Sequence, residues 1–378
     1  MARTTRTLLL RPTPGSRPAD LFDKILQFRA KNPNDRQFPF EIGNSGILVE
    51  QVDENTVVLL SNGFSEMLDP YSDPPLERYT DEDHMSTNGD AGKDESRVWK
   101  TTRVYEVIGN PGHPRLVQFR GRDPWTALPI LQKPAATLAG FLDEHRASMY
   151  AYAAGDDTEA EPSGSEKHNG NARLYLKLNP AYRPLIFQWA LQLLSALGFI
   201  HARNVILGDL HVHTCWLSAP DFSISILGFL DAVYMEPMHG TRYTNESTWG
   251  SEYNFPFHPR LIPGRGTGPG GRWDRDVATA KTDLFLWAAL VFELLTGCWP
   301  AGDRNLEDVK GILARGLWPR LGEGGLDGIL GKCWDLGYAD ADEVKRDLVL
   351  VVEGEGWEVG GVQGDEIRGL DGARILRD

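Results

Sequence analysis

The chain is poor in cysteine, has no long apolar run and carries no surplus of basic charge. Its three cysteines, Cys215, Cys298 and Cys333, lie far apart among 378 residues and form no CxxC pair. That excludes a disulfide framework and fits a reducing compartment. The longest apolar run, Leu284–Phe292, falls far short of a membrane span, and Leu8-Leu9-Leu10 before Arg11-Pro12 is too brief for a signal-peptide apolar region. A soluble protein of the cell interior, cytoplasmic or nuclear, is the expectation. The 39 basic residues against 53 acidic ones give a net charge of −14, which argues against a nucleic-acid ligand because an acidic surface repels phosphate. At 41% apolar the chain can bury a sizeable core, and its length suits two domains or one bilobal unit. No internal repeat is present.

Residues 1–36 are basic and broken by Pro12, Pro14, Pro18 and Pro33, and read as a flexible arm with one short amphipathic turn around Phe22, Ile25, Leu26 and Phe28. Three β-rich runs follow, Phe40–Ile42, Ile47–Val52 and Thr56–Leu60, joined by turn residues. An acidic insertion spans 61–96, with ten acidic residues against Arg78 and Lys93. The spacing then predicts a helix over Val98–Ile108, strands over Arg115–Phe119 and Leu128–Leu131, and a helix over Ala135–His145. A second acidic insertion occupies 153–171.

Apolar residues recur at helical spacing over Leu185–His201, and Thr282–Thr296 is apolar nearly all round and closed by Gly297, the pattern of a helix at the centre of a domain. Between them lie an irregular apolar stretch and a Gly/Pro-rich segment, 235–274. Helices near Leu326–Trp334 and Asp340–Val352 precede a Gly-rich, acidic tail, 353–378, that reads as flexible. The acid excess therefore belongs mainly to the two insertions and the tail.

The segment from Ala196 through Gly208-Asp209-Leu210 is similar to the protein kinase helix that runs into the catalytic loop. Lys281–Gly297, ending Glu293-Leu294-Leu295-Thr296-Gly297, resembles the central kinase helix, and Lys332-Cys333-Trp334 falls where kinases often carry those residues. The resemblance covers about 37–352. It implies an α+β, bilobal protein kinase-like fold, with a small β-rich N-lobe over 37–131 and a larger helical C-lobe over 132–352. The loop composition also resembles kinase-like proteins of filamentous fungi.

Against that family the chemistry is depleted. Phosphoryl transfer depends on positioning and charge neutralisation more than on covalent help. Only Gly43 and Gly46 stand in the loop that would let backbone N–H groups approach phosphate. Leu59 stands where the third strand should carry its lysine, and no lysine occurs between Lys31 and Lys93. The acid that would pair with it falls at Thr101, the metal-binding Asn at Thr214, and the metal-binding Asp at Gly228 of Gly228-Phe229-Leu230. Asp209 alone remains, in the place of the catalytic base. Asp231 is a remote candidate for a relocated metal ligand. The motif closing the activation segment is at best Phe257-His258-Pro259-Arg260. Asp283 falls where kinases use an Asp to accept N–H bonds from the catalytic loop, and its position also suits a helix N-cap.

Loss of the lysine, its acid, the Asn and the metal Asp together points to a pseudokinase that regulates or scaffolds a protein partner, with ATP and Mg2+ implied only if activity is retained. The alternative is a divergent Ser/Thr kinase or a small-molecule phosphotransferase of the aminoglycoside and choline kinase type, which Gly208-Asp209-Leu210-His211 resembles, using Asp209 as base. A third reading is an interaction protein whose acidic loops form the working surface. His211, His213 and Cys215 alternate as zinc ligands can, but no fourth ligand has a motif spacing.

Overall fold

The computed structural model describes residues 20–33, 38–42, 45–61, 90–109, 112–152, 176–219, 221–235, 240, 242–243, 279–300, 311–312, 315–322 and 324–375. Gly43, the acidic insertion at 153–171, the Phe257–Arg260 motif and nearly all of the Gly/Pro-rich segment lie outside them.

The N-lobe is a five-stranded antiparallel sheet with one long helix packed on it. Strands β1 (Phe40–Glu41), β2 (Ile47–Gln51), β3 (Thr56–Ser61), β4 (Phe119–Arg122) and β5 (Pro129–Gln132) lie in the order β1-β2-β3-β5-β4. Strand β3 is central, pairing Leu59 with Val49 of β2 and Val57 with Leu131 of β5, and Val57–Leu60 are fully buried. Those residues read as a continuous apolar run because neither face of β3 meets water. Between β3 and β4 the chain forms α2 (Asp90–Ile108), whose Val98, Val104, Tyr105 and Ile108 are buried. The helix takes in the last seven residues of the expected acidic insertion, 90–96.

Strand β4 lies about four residues later than its apolar pattern suggests. Leu116 is instead held in a parallel bridge to Ile226, which takes 115–117 away from the sheet.

The C-lobe is built around two apolar helices, α4 (Arg183–His201) and α5 (Ala280–Thr296), with α3 (Leu138–Met149), α6 (Gly325–Trp334) and α7 (Ala341–Gly354) around them. Indole N–H groups tie the layers together: Trp287 donates to Ala190 O at 3.1 Å and Trp189 to Phe222 O at 2.7 Å. Each buried large side chain contributes roughly 1.5–3 kcal/mol, so this helix pair dominates the stability of the lobe. Pro180–His201 is long and apolar enough to cross a membrane by length and composition, yet 78% of its apolar window is buried inside the protein. Helix α5 ends at Gly297, whose φ of 65° and whose approach to Tyr150 leave no room for a side chain: a Cβ would sit 3.1 Å from that ring.

Short strands β6 (Ala136–Thr137), β9 (Val205–Ile206), β10 (Cys215–Leu217), β11 (Ile224–Ile226) and β12 (Val233–Met235) frame the loops that face the N-lobe, while β7 (Tyr150–Tyr152) pairs with β8 (Leu176–Leu178) and β13 (Arg242–Tyr243) with β12. Thr137 caps α3 by accepting the Gly140 N–H, which starts that helix later than its apolar residues alone suggest. This order of elements is a bilobal, kinase-like α+β fold.

Both chain ends correct the sequence reading. Residues 20–31 of the expected arm form α1 (Asp20–Lys31), which buries Leu21, Phe22 and Ile25 and pairs Arg29 with Glu50 of β2. Residues 353–375 of the expected flexible tail include the hairpin β14 (Val359–Gly360) and β15 (Glu366–Ile367), with Asp365 fully buried and Ile367 3% exposed. Glycine content concealed this packing, which rests on one charged and one apolar anchor rather than on a periodic stripe.

Candidate functional site

The four losses read from sequence can be placed in space. Three of them meet. A Cβ at Gly228, where φ is 63°, would lie 3.5 Å from Leu59 Cδ1 and 3.7 Å from Thr101 Cγ2, and Leu59 and Thr101 are fully buried. Strand β3, helix α2 and the loop after β11 thus bring together an alkyl group, a hydroxyl and a hydrogen atom. The Thr101 hydroxyl accepts the Phe229 N–H at 3.1 Å and donates to Arg97 O at 3.3 Å, so it satisfies backbone and offers no charge. Phe229, fully buried, packs edge-on against Tyr105 at 5.0 Å, and Tyr105 stacks on Phe119 at 5.1 Å. Burial raises the Tyr105 phenol far above its ordinary value.

The fourth, Thr214, closes a one-turn 3-10 helix. Its hydroxyl accepts the His211 N–H at 3.0 Å and donates to His211 O at 3.0 Å, which leaves the side chain 3% exposed.

One helical turn before Thr101, Arg97 supplies a contact that sequence reasoning missed. Its Nη2 lies 3.0 Å from Asp231 Oδ2, and its Nη1 donates to Ser45 O at 3.0 Å. Both ionic side chains are nearly buried, 6% and 7% exposed. The guanidinium therefore joins helix α2, the β1–β2 turn and the loop after β11. A metal at Asp231 would have to displace Arg97. The signal in the sequence was positional: Arg97 precedes Thr101 by four residues and Asp231 follows Gly228 by three. The Gly46 N–H is also engaged, donating to Glu41 Oε1 at 2.7 Å.

The loop after α4 has a different character. Asp283, fully buried on α5, accepts the Leu207 N–H at 2.8 Å on Oδ2 and the Gly208 N–H at 2.9 Å on Oδ1. His201 Nε2 meets Oδ2 at 2.8 Å. Asp283 is not the helix cap: Thr279 holds that position, its N–H donating to Thr282 Oγ1 at 3.2 Å. Gly208 has a φ of 75°, and a Cβ there would lie 2.6 Å from Asp231 O, so only glycine fits.

Asp209, 17% exposed, sits 3.2 Å from His211 Nε2. Since His211 Nδ1 accepts the His213 N–H at 3.2 Å, a neutral ring carries its proton on Nε2, the nitrogen that faces Asp209. Burial, followed by the neighbouring His211, lowers the His213 pKa. Burial also raises the Cys215 thiol well above its ordinary value, which makes it a poor thiolate ligand. Among the described residues no group of three or more His, Cys, Asp or Glu side chains is arranged to hold a metal ion.

The residues present do not fit a magnesium nucleotide. No charged group stands at Leu59, Thr101 or Gly228, and Asp231 is paired. The segment joining the lobes has its own donors engaged: the Lys133 N–H binds Asn55 O at 2.7 Å, the Ala135 N–H binds Leu217 O at 3.0 Å, and Pro134 has none.

No protein-family profile matches the chain, and no curated protein matches it. Among solved structures it is similar to the crystal structure of Rad53 kinase domain and SCD2, with a TM-score of 0.42 and 14% identity over 64% of this chain and 74% of that one. At that distance the likeness carries no residue-level argument. What the chain shows is the bilobal, kinase-like arrangement of its own elements.

Proposed function

We propose that this protein is a pseudokinase, a kinase-like domain that does not transfer phosphate and serves a protein partner as a regulatory or scaffolding module. One observation carries the reading: Leu59 and Thr101 both line the space beside Gly228, and all three residues are buried and uncharged. Separated substitutions would be weak support, but three of the four positions gather in one buried, uncharged place where the charges that grip phosphate and metal would be needed. The Arg97 bridge and the engaged donors at Gly46, Lys133 and Ala135 support it further.

The test is a thermal titration of the full chain with ATP, with and without Mg2+. A ligand that binds only the folded state at 100 times its Kd stabilises by about 2.7 kcal/mol, so binding is easily read. The expected result is no Mg-dependent rise in Tm; a saturable Mg-dependent rise accompanied by phosphate transfer overturns the proposal. The phosphotransferase alternative is favoured by one feature, the partly open Asp209 oriented by His211. It requires phosphate transfer that disappears in Asp209→Asn while Tm stays unchanged.

A further inference from the structure

Arg115 lies in the segment between α2 and β4, and Asp365 lies in the hairpin near the end of the described chain. The two form a bidentate pair, Nε to Oδ2 at 3.1 Å and Nη2 to Oδ1 at 3.1 Å, and Nη2 also meets Glu366 Oε1 at 2.8 Å. Asp365 is fully buried and Arg115 is 8% exposed on its side chain. The hairpin has two more anchors. The Ile367 N–H donates to Gln188 Oε1 at 3.0 Å, and Lys345 Nζ donates to Gln363 O at 2.6 Å.

Contacts continue from Arg115 into the cleft. Its carbonyl accepts the Ile226 N–H at 3.0 Å, and the Val117 N–H donates to Ile226 O at 3.0 Å. Ile226 ends β11 two residues before Gly228, and Phe229 N–H is the group held by Thr101 of α2. Asp365 is thus linked to helix α2 by two routes. One runs along the chain, back from Arg115 to Ile108. The other runs through Ile226 to the loop that meets Thr101.

We propose that the C-terminal hairpin is a clasp that holds the α2–β4 segment and, through it, sets the position of helix α2 and of the loop at Gly228. The clasp is intramolecular and does not depend on whether the cleft takes nucleotide. A buried ion pair at its centre suits that role because removing one partner leaves an uncompensated charge and releases the contact sharply. Residues 112–117 belong to no helix or sheet strand and are held by the Ile226 bonds and this ion pair, so losing the pair favours their local opening.

Hydrogen exchange on the full chain tests this. In Asp365→Asn, amides of 98–108 and 115–117 should exchange faster by about tenfold or more, while those of 284–295 in α5 keep their wild-type rates. Acceleration confined to 359–375 overturns the proposal, since the hairpin would then detach without consequence. Equal acceleration in α5 overturns it as well, since the pair would then be ordinary core. Should Asp365→Asn fail to fold, Gln188→Ala, which removes the acceptor for the Ile367 N–H, is judged by the same pattern.

Discussion

At the loop after α4 one fully buried carboxylate, Asp283, is met by three donors, whereas the contact among Leu59, Thr101 and Gly228, equally closed to water, contains no charge at all. The two places lie on neighbouring loops, where Gly208 approaches Asp231 O, and differ in what a charge there would touch. Asp283 binds backbone of its own chain, so its desolvation is offset within the fold. A lysine at 59 or an aspartate at 228 would need a ligand, or each other, to offset theirs. Buried charge is kept in this domain where it organises the chain and is missing where its counterpart would come from outside.

The largest test of that contrast is Asp283→Ala, which strands the Leu207 and Gly208 N–H groups. It should cost about 4 kcal/mol, a sum of two unmet buried donors and a lost charged acceptor. Urea denaturation measures it, and a loss below about 1 kcal/mol would mean that the Gly208–Asp231 backbone contact holds the loop unaided.

Next in size is Leu59→Lys, expected to cost about 3 kcal/mol by burying a charge without a partner. Adding Thr101→Glu should recover part of that loss, a favourable coupling read from the double-mutant cycle. If the double variant is less stable than the sum of the single effects, the site cannot accept even a paired charge.

The smallest effect concerns Glu293, which lines a cavity of about 10 Å3 with His211 and Leu210. Burial pushes its pKa up to about 8, and the nearby Arg146 opposes that shift. A raised folded pKa means that this group's contribution is complete below about pH 4.5 and declines as pH rises toward 8. Glu293→Gln should flatten that decline and stabilise the protein at pH 8 by about 1 kcal/mol, as thermal melts across that range would show.

Much of the fold was legible because it is carried by periodicity. The helices around Trp189 and Trp287, and the strands around Val49 and Leu59, follow from apolar spacing alone. The positions that the kinase resemblance singles out were legible too, since Leu59, Thr101 and Gly228 are fixed by offsets from those elements. What replaced them was not. Arg97 and Asp231 are 134 residues apart, and nothing local marks either as buried. Arg115 and Asp365 are 250 residues apart, and the hairpin that brings them together is rich in glycine, which reads as mobility when the partner is out of view. Strand β4 was misplaced for a related reason: Leu116 and Val117 are apolar because they pack beside Ile226, not because they lie in the sheet.

Arg97 deserves a last consequence. In a cleft that closes on a nucleotide, the posture of the two lobes reports how much nucleotide is present. Here the β1–β2 turn is drawn to the opposite loop by a guanidinium of the same chain, through Ser45 O and Asp231. That posture is set by a bridge within the chain, and any contact that moves the turn has to compete with Arg97 for Ser45 O and Asp231.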